Sequence, residues 1–317
     1  MRGAVALAVA VALVAGLLAL TDRATLSSLV AAMDPTWLLL AFLAFAVGTA
    51  VRARRFQVLS HATAGTGVVP YLRVTAIHQL LLMVLPLRMG ELSYPVLMRA
   101  HLGRALPQGV GDLLLARLFD LVLASLCFAL GLLALGGVSG GDEMLIAAVV
   151  LVVVGTVAVL QLPAGVHLGR GWLIRLRAPA PLRRFARSLD HSVHRAGREM
   201  LAPAAFLSVA ATIVGVVRID WLFDAFGVET GVLGATLLFG AGNLLGLVPL
   251  HGFGGLGPKQ AGMAGVLVLL GIATAEAASV TLLFQAAVIL FVVVLAVAAW
   301  SSWLVEGRAL PSAREQE

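Results

Sequence analysis

The chain alternates long apolar stretches with short polar or arginine-rich segments. Six of the stretches are predominantly apolar, which is typical of helices that cross the roughly 30 Å hydrocarbon core of a bilayer. They cover residues 3–20, 36–51, 110–136, 144–160, 202–226 and 277–304. This pattern predicts an all-α, polytopic membrane helix bundle that forms a single integral membrane domain over residues 1–317.

Two further apolar segments, residues 71–98 and 231–271, are interrupted by proline and glycine. These residues stop a helix and free backbone groups that lipid cannot satisfy, so the interruptions are expected inside the protein or along a wet cavity. If all arginine-rich segments lie on one side, each interrupted segment must enter and leave the membrane on the same side. We therefore predict six full spans and two re-entrant hairpins. Eight or more full spans are the alternative, because residues 231–248 are long enough to cross.

The two interruptions share an order of residues. Pro86 is followed by Arg88, Gly90 and Glu91, and Pro249 is followed by His251, a glycine-rich stretch and Gln260. Paired breaks in the two halves of a chain are the best sequence indication of a transporter's binding site. The pattern therefore favours an inverted repeat with a substrate site between its halves.

The composition excludes a soluble globular domain. Hydrophobic residues make up 61% of the chain and charged residues 12%, with a mean hydropathy of +1.02, whereas soluble domains have about 25% charged residues. The formal net charge of +6 reflects the location of arginines next to apolar stretches, so no nucleic-acid partner is predicted. Arg52, Arg54 and Arg55 follow one stretch directly, which indicates a cytoplasmic end. Both termini are then cytoplasmic, in the inner membrane of a bacterium.

Residues 170–200 form an arginine-rich segment in which Leu182, Phe185, Leu189 and Val193 recur at helical spacing. This pattern predicts an amphipathic helix on the anionic inner leaflet. Cys127 is the one cysteine, so an intrachain disulfide and a cysteine-based metal cluster are excluded. We predict no metal and no cofactor, and nothing in the sequence resembles a nucleotide-binding motif.

Charged residues inside apolar segments are the main candidates for a site, because they are expensive in a membrane unless they serve a function. Arg117 and Asp120 are three residues apart, hence on one helical face and able to pair. Arg218 is expected to face a cavity, and Asp220 points elsewhere. Backbone N–H groups at the two breaks suit a phosphate. The candidate substrate-binding residues are Arg88, Glu91, Arg117, Asp120, Arg218, Asn243, His251, Gly254, Gly255, Gly257, Lys259 and Gln260.

At these residues the chain resembles the transmembrane region of the lysylphosphatidylglycerol synthase family, also called flippase-like membrane proteins. The first signature is similar to Pro86, Arg88, Gly90 and Glu91 here, followed by an Arg-x-x-Asp at Arg117 and Asp120. The second is similar to Pro249 with Gly254, Gly255 and Gly257. The resemblance extends from about residue 35 to residue 300, and its motifs occur in the family's order. It implies a protein that moves a phospholipid or polyprenyl-phosphate-linked headgroup between leaflets.

The chain departs from the family pattern at two points. Gln260 stands where the family usually has a second glutamate, which puts in doubt any proton- or cation-linked role of that carboxylate. His251 and the two residues after it replace a more usual proline-bearing approach to the glycines. The chain ends thirteen residues after Leu304, so we expect the cytosolic synthase domain, and with it the synthase activity, to be missing.

Three functions are consistent with the sequence. The leading hypothesis is a flippase-like protein, not an enzyme, that binds an anionic lipid or polyprenyl-phosphate-linked lipid and carries its headgroup across the membrane. The second is an integral membrane transferase acting on such a lipid, for which Glu91 is the best candidate base. The third is a non-transporting scaffold for a lipid-modifying enzyme. Each of the three functions is compatible with a homo-oligomer.

Overall fold

The computed structural model describes residues 23–60, 66–85, 89–135, 141–175, 179–195, 198–246 and 257–305. Every regular element in these ranges is helical, which confirms the predicted all-α membrane bundle. The elements are α1 (Arg23–Ala31), α2 (Pro35–Leu59), α3 (Val68–Val84), a 3₁₀ turn (Met89–Leu92), α4 (Ser93–Leu102), α5 (Leu106–Ala134), α6 (Gly141–Arg175), α7 (Ala180–Arg195), α8 (Arg198–Asp224), α9 (Gly231–Leu245), α10 (Pro258–Leu269) and α11 (Thr274–Val305).

Within the described ranges, four helices are long and apolar enough to cross a membrane. They are Pro35–Leu59, Leu106–Ala134, Met200–Asp224 and Thr274–Trp303. Each coincides with one predicted span. The predicted span 144–160 lies within α6, and the predicted span 3–20 lies outside the described residues. The total of six full spans stays a prediction.

Helix α2 begins where the sequence indicates but ends later than its apolar stretch. The Asp34 side chain accepts a hydrogen bond of 2.7 Å from the backbone N–H of Thr36, and Pro35 occupies the first turn. This is a stable helix start, because proline has no N–H to leave unpaired there. The helix continues to Leu59, so the three arginines that follow residue 51 belong to it. They do not form a polar loop after the span.

In each interrupted segment the described residues form helices that end before, and begin after, the stretch of proline and glycine. Helix α3 ends at Val84, and the chain resumes in the 3₁₀ turn at Met89 and in α4, which Gly103 terminates with a φ of +64°. A left-handed residue of this kind is a common helix stop that glycine adopts without strain. In the second half, α9 ends at Leu245 and α10 begins at Pro258. The re-entrant path of both segments through the bilayer stays a prediction.

Helices α5 and α9 approach each other closely at two glycines. A Cβ atom built on Gly131 would lie 2.6 Å from Cβ of Leu237, and one built on Gly240 would lie 2.8 Å from the carbonyl oxygen of Ala124. Both distances are too short for real atoms, so larger residues would force the helices apart. Small residues are the usual means of close helix contact in membranes. This contact fixes the position of α9 relative to α5.

We expect Gly240→Ala to destabilise the protein by roughly 1–3 kcal/mol, because the added methyl group overpacks the contact with α5. Gly265 is the matched control, since it also lies in a helix and a Cβ there would meet nothing within 4 Å. Gly265→Ala should leave stability unchanged or raise it by up to about 1 kcal/mol, through helix propensity. Thermal unfolding of both variants in detergent checks this, and equal melting temperatures would contradict the packing account.

The predicted amphipathic helix is present as α7, but its neighbours differ from the prediction. Helix α6 runs to Arg175, so Arg170 and Arg175 lie in a helix and not in a loop. Asp190 of α7 is buried and accepts a hydrogen bond of 2.7 Å from Nη1 of Arg170, which ties α7 to the end of α6. Leu182 and Phe185 are exposed on α7. Contact of this helix with an anionic leaflet stays a prediction.

Candidate functional site

A cavity of about 200 Å³ lies between six helices: α2, α3, α5, α8, α9 and α10. Both interrupted segments contribute to its wall, through α3 in the first half and through α9 and α10 in the second. Five basic side chains line it: Arg52, Arg55, Arg117, Arg218 and Lys259. A cavity with this lining, inside a bundle of apolar helices, is the strongest candidate for a functional site in the described part of the chain.

One side of the cavity is a network of ion pairs centred on Asp120. Its Oδ1 lies 2.5 Å from Nη1 of Arg55, and its Oδ2 lies 3.3 Å from Nη2 of the same guanidinium. Arg55 is 1% exposed and also donates a hydrogen bond of 3.0 Å to the hydroxyl of Ser208. Three helices, α2, α5 and α8, therefore meet at one buried guanidinium.

Arg117 links the same carboxylate to the first interrupted segment. Its guanidinium lies 3.4 Å from Oδ2 of Asp120, which places together the pair that their spacing of three residues predicts. It also contacts Glu91 of the 3₁₀ turn, with Nη2 at 2.8 Å from Oε1 and Nε at 3.1 Å from Oε2. Fork-like contacts of this kind fix geometry as well as charge. The turn after the first break is thus held against α5.

Three further basic side chains of the cavity lining make no ion pair in the described structure. Within the described residues, no acidic oxygen lies within 4.0 Å of Arg52, Arg218 or Lys259. The guanidinium of Arg218 lies 5.5 Å from the ring centre of Phe45 and 5.8 Å from that of Phe284. Aromatic faces attract a cation without neutralising it. Arg218 therefore keeps its charge available to the cavity.

His78 lines the cavity and has one ring nitrogen without a hydrogen-bond partner in the described structure. The Ser93 hydroxyl donates to the Gly90 carbonyl at 2.6 Å, so Nδ1–H of His78 donates to that hydroxyl oxygen at 2.8 Å. This assignment follows from the hydrogen-bond network. It leaves Nε2, which is buried and has no hydrogen-bond partner in the described structure, as the unprotonated ring nitrogen. The contact with Ser93 also fastens the 3₁₀ turn to α3.

Gln260 supports the start of α10 and does not line the cavity. Its Oε1 accepts a hydrogen bond of 2.9 Å from the backbone N–H of Gly257, and its Nε2 donates to Oε1 of Gln285 at 2.6 Å. Gly257 has a φ of +151°, a conformation that side chains rarely adopt. Gln260 is fully buried, so a neutral amide at this position makes both contacts without burying a charge. It thereby positions Lys259, the residue before it.

The structure brings together most of the predicted site residues that it describes. Arg117, Asp120, Arg218, Asn243 and Lys259 line the cavity, and Glu91 is bonded to Arg117. Gly257 and Gln260 lie at the start of α10 and do not line the cavity. The amide nitrogen of Asn243 donates to the Phe239 carbonyl at 2.7 Å. Four predicted residues lie outside the described residues: Arg88, His251, Gly254 and Gly255.

Sequence reasoning missed Arg52, Arg55, His78 and Gln79, all of which line the cavity. The two arginines were interpreted as a positive flank on the cytoplasmic side. Their spacing of three residues was the available signal, because it puts them on one helical face while Arg54 points away. Arg54 is indeed exposed. Among the described residues, no group of three histidine, cysteine or acidic side chains could hold a metal ion.

A comparison with protein families matches residues 4–296 of the chain to the lysylphosphatidylglycerol synthase TM region. The chain belongs to this family. Searches of curated proteins and of solved structures found no match. Membership agrees with the resemblance at the two breaks and at Arg117 and Asp120, and it identifies a multi-pass membrane protein related to lipid modification or translocation.

The arrangement in this lysylphosphatidylglycerol synthase TM-region protein can bind an anion by charge and by directed hydrogen bonds. Arg52, Arg218 and Lys259 would donate to it, while Arg55 and Arg117 are already fixed by carboxylates. Arginine presents a planar fork that matches phosphate oxygens, and lysine adds a compact charge. Since the five cations come from four helices, α2, α5, α8 and α10, a bound anion would contact elements from both halves of the chain.

Proposed function

We propose that this protein binds an anionic lipid, or a polyprenyl-phosphate-linked lipid, by its headgroup in the cationic cavity and carries the headgroup between leaflets. The observation that carries the proposal is the cavity itself, which places five basic side chains among apolar helices. Such residues inside a membrane bundle usually mark a substrate pathway. Helix breaks at the site, one in each half of the chain, are a feature of transporters that bind substrate between repeats.

The contacts of Glu91 favour this function over a transferase. A general base must be free to take a proton from a reacting group. Both carboxylate oxygens of Glu91 are instead held by the guanidinium of Arg117. These contacts support a role for Glu91 as the counter-charge of Arg117 rather than as a general base. A scaffold without transport would not need a cavity lined by five basic side chains.

We place the protein in the inner membrane of a bacterium, with α7 along the anionic cytoplasmic leaflet. Helix α7 combines exposed Leu182 and Phe185 with exposed arginines at 183, 184 and 187. Apolar side chains and arginines together favour binding to a surface of anionic lipid. The ion pair between Arg170 and Asp190 would keep this helix close to the bundle. Both chain termini would then lie on the same cytoplasmic side.

The test is headgroup translocation in proteoliposomes. Fluorescent phosphatidylglycerol, aminoacyl-phosphatidylglycerol and a short-chain polyprenyl diphosphate sugar are each followed with the wild type, with Arg218→Ala and without protein. Wild-type protein should move at least one of these lipids, and Arg218→Ala should slow that movement by about tenfold or more. A tenfold slower rate corresponds to an activation free energy that is higher by about 1.4 kcal/mol.

Arg54→Ala is the matched control, because Arg54 is exposed on the same bundle and lies outside the cavity. It should move lipid at the wild-type rate. If folded wild-type protein moves none of the three lipids, or if Arg218→Ala moves them as fast as the wild type, the transport proposal is wrong.

A further inference from the structure

We propose that the headgroup bound in the cavity carries at least two negative charges on phosphate, as a phosphate monoester or a diphosphate does. A phosphodiester such as phosphatidylglycerol, with one charge, would then be a poor ligand. This inference rests on the proposed function and specifies its substrate class. It is carried by the excess of basic over acidic side chains in and around the cavity.

The charge balance of the site is incomplete without a ligand. Five basic side chains line the cavity, and the carboxylates in contact with them are Asp120 and Glu91. Both carboxylates are engaged by Arg55 and Arg117. The remaining three cations, Arg52, Arg218 and Lys259, have no carboxylate within 4.0 Å among the described residues, and the charge of Asp120, which already pairs with Arg55, is the one that acts on Arg52. Charges taken out of bulk water are normally paired, because the unpaired charge is costly. The missing counter-charge is therefore greater than one.

The three unmatched cations surround one space from different directions. Arg52 comes from α2, Arg218 from α8 and Lys259 from α10, and all three line the same cavity. Lys259 is close enough to the other two for their positive charges to act on it. Repulsion among three like charges at this range is relieved most by an anion that reaches all of them.

Common phosphate groups differ in negative charge, and this difference predicts the order in which they bind to the three cations. A phosphodiester supplies one negative charge and would leave two cations unmatched. A phosphate monoester supplies about −1.5 to −2 near neutral pH and three acceptor oxygens, and a diphosphate supplies more of both. Arginine forks and a lysine bind such oxygens through short, charge-assisted hydrogen bonds.

The size of the cavity agrees with a phosphate-centred ligand. Its volume of about 200 Å³ is well above the minimum of roughly 10–15 Å³ that one water molecule needs on the same measure. A phosphate-bearing group therefore has room beside the basic side chains.

Isothermal titration of the full chain in phosphatidylcholine nanodiscs tests the ranking. The probes are inorganic phosphate, pyrophosphate, farnesyl phosphate, farnesyl diphosphate and dioctanoyl phosphatidylglycerol. We expect farnesyl diphosphate and farnesyl phosphate to bind at least tenfold more tightly than phosphatidylglycerol. Pyrophosphate separates the two sources of the anion: weaker binding than farnesyl diphosphate indicates a lipid, and equal binding indicates a free phosphate. Phosphatidylglycerol binding as tightly as farnesyl diphosphate, or no binding by any probe, would overturn the inference.

Two variants connect the ranking to the unmatched cations. Arg218→Met and Lys259→Met should each weaken farnesyl diphosphate binding about tenfold or more and phosphatidylglycerol binding much less. Arg54→Met, on the outer face of α2, should change neither. Equal weakening of both lipids would contradict the charge argument. Because the ranking is measured on the wild type, a variant that fails to fold does not remove the test.

The outcome also separates this inference from the transport proposal. If phosphatidylglycerol crosses vesicles in an Arg218-dependent way and binds as tightly as farnesyl diphosphate, the charge class is wrong and transport stands. If the diphosphate binds most tightly but no lipid crosses, the charge class stands and transport is wrong.

Discussion

Asp120→Asn is expected to lower the stability of the protein by roughly 2–4 kcal/mol, the largest loss for a single change at the cavity. The substitution removes the charge that faces Arg55, which is 1% exposed, and also weakens the contact with Arg117. Although the Asp120 side chain is 36% exposed, its loss leaves the buried guanidinium of Arg55 without its counter-charge, which is more harmful than losing the pair altogether. Thermal unfolding of the purified protein in detergent measures the effect.

Asp34→Asn is the matched control for this experiment. Asp34 caps α2 through a hydrogen bond to the backbone of Thr36, and asparagine caps a helix about as well as aspartate. Its melting temperature should be close to that of the wild type. The double variant Arg55→Met/Asp120→Asn should recover part of the loss, because it removes the uncompensated charge. A wild-type melting temperature for Asp120→Asn alone would show that the ion pairs do not hold the helices together.

Lys259→Met is expected to have the opposite pattern: the empty protein keeps or gains stability, and the effect of ligand is lost. Methionine keeps much of the length of the side chain, and it removes one of three neighbouring positive charges that make no ion pair in the described structure. A ligand at 100 times its Kd stabilises the folded state by about 2.7 kcal/mol. Melting curves with and without farnesyl phosphate should show this shift in the wild type and little of it in Lys259→Met.

Arg54→Met is the control for charge removal, since Arg54 is exposed and outside the cavity. It should keep the full shift with farnesyl phosphate. Two results are incompatible with a ligand-binding Lys259: a full ligand shift in Lys259→Met, or a large loss of stability in the empty variant. The second result would indicate that Lys259 supports the fold and not the ligand.

The architecture and the breaks were predictable because they depend on local features. Apolar length predicts helices, and proline with glycine predicts where α3 and α9 end. The pair Arg117–Asp120 was predictable for the same reason, because its members share one helical face. Arg218 and Lys259 were identified as charges inside apolar segments, where few explanations other than function exist.

Other parts of the site depend on contacts that local patterns do not contain. Arg55 pairs with Asp120, which is 65 residues away, and positive charge after an apolar stretch has the ordinary explanation of a cytoplasmic flank. His78 belongs to no motif, and its role depends on Ser93 from the far side of the break. Gln260 was expected to contact substrate, whereas its amide holds Gly257 and Gln285. When every face of a helix is apolar, the sequence does not indicate which face lines a cavity.

The most direct test of a cavity that binds an anionic lipid headgroup is native mass spectrometry of protein purified with its own lipids. The account predicts that the wild type and Arg54→Met retain a phosphate-bearing lipid, and that the double variant Arg218→Met/Lys259→Met loses it. The identity of the retained lipid would also name the headgroup. Equal retention of the same lipid by all three proteins would contradict the account.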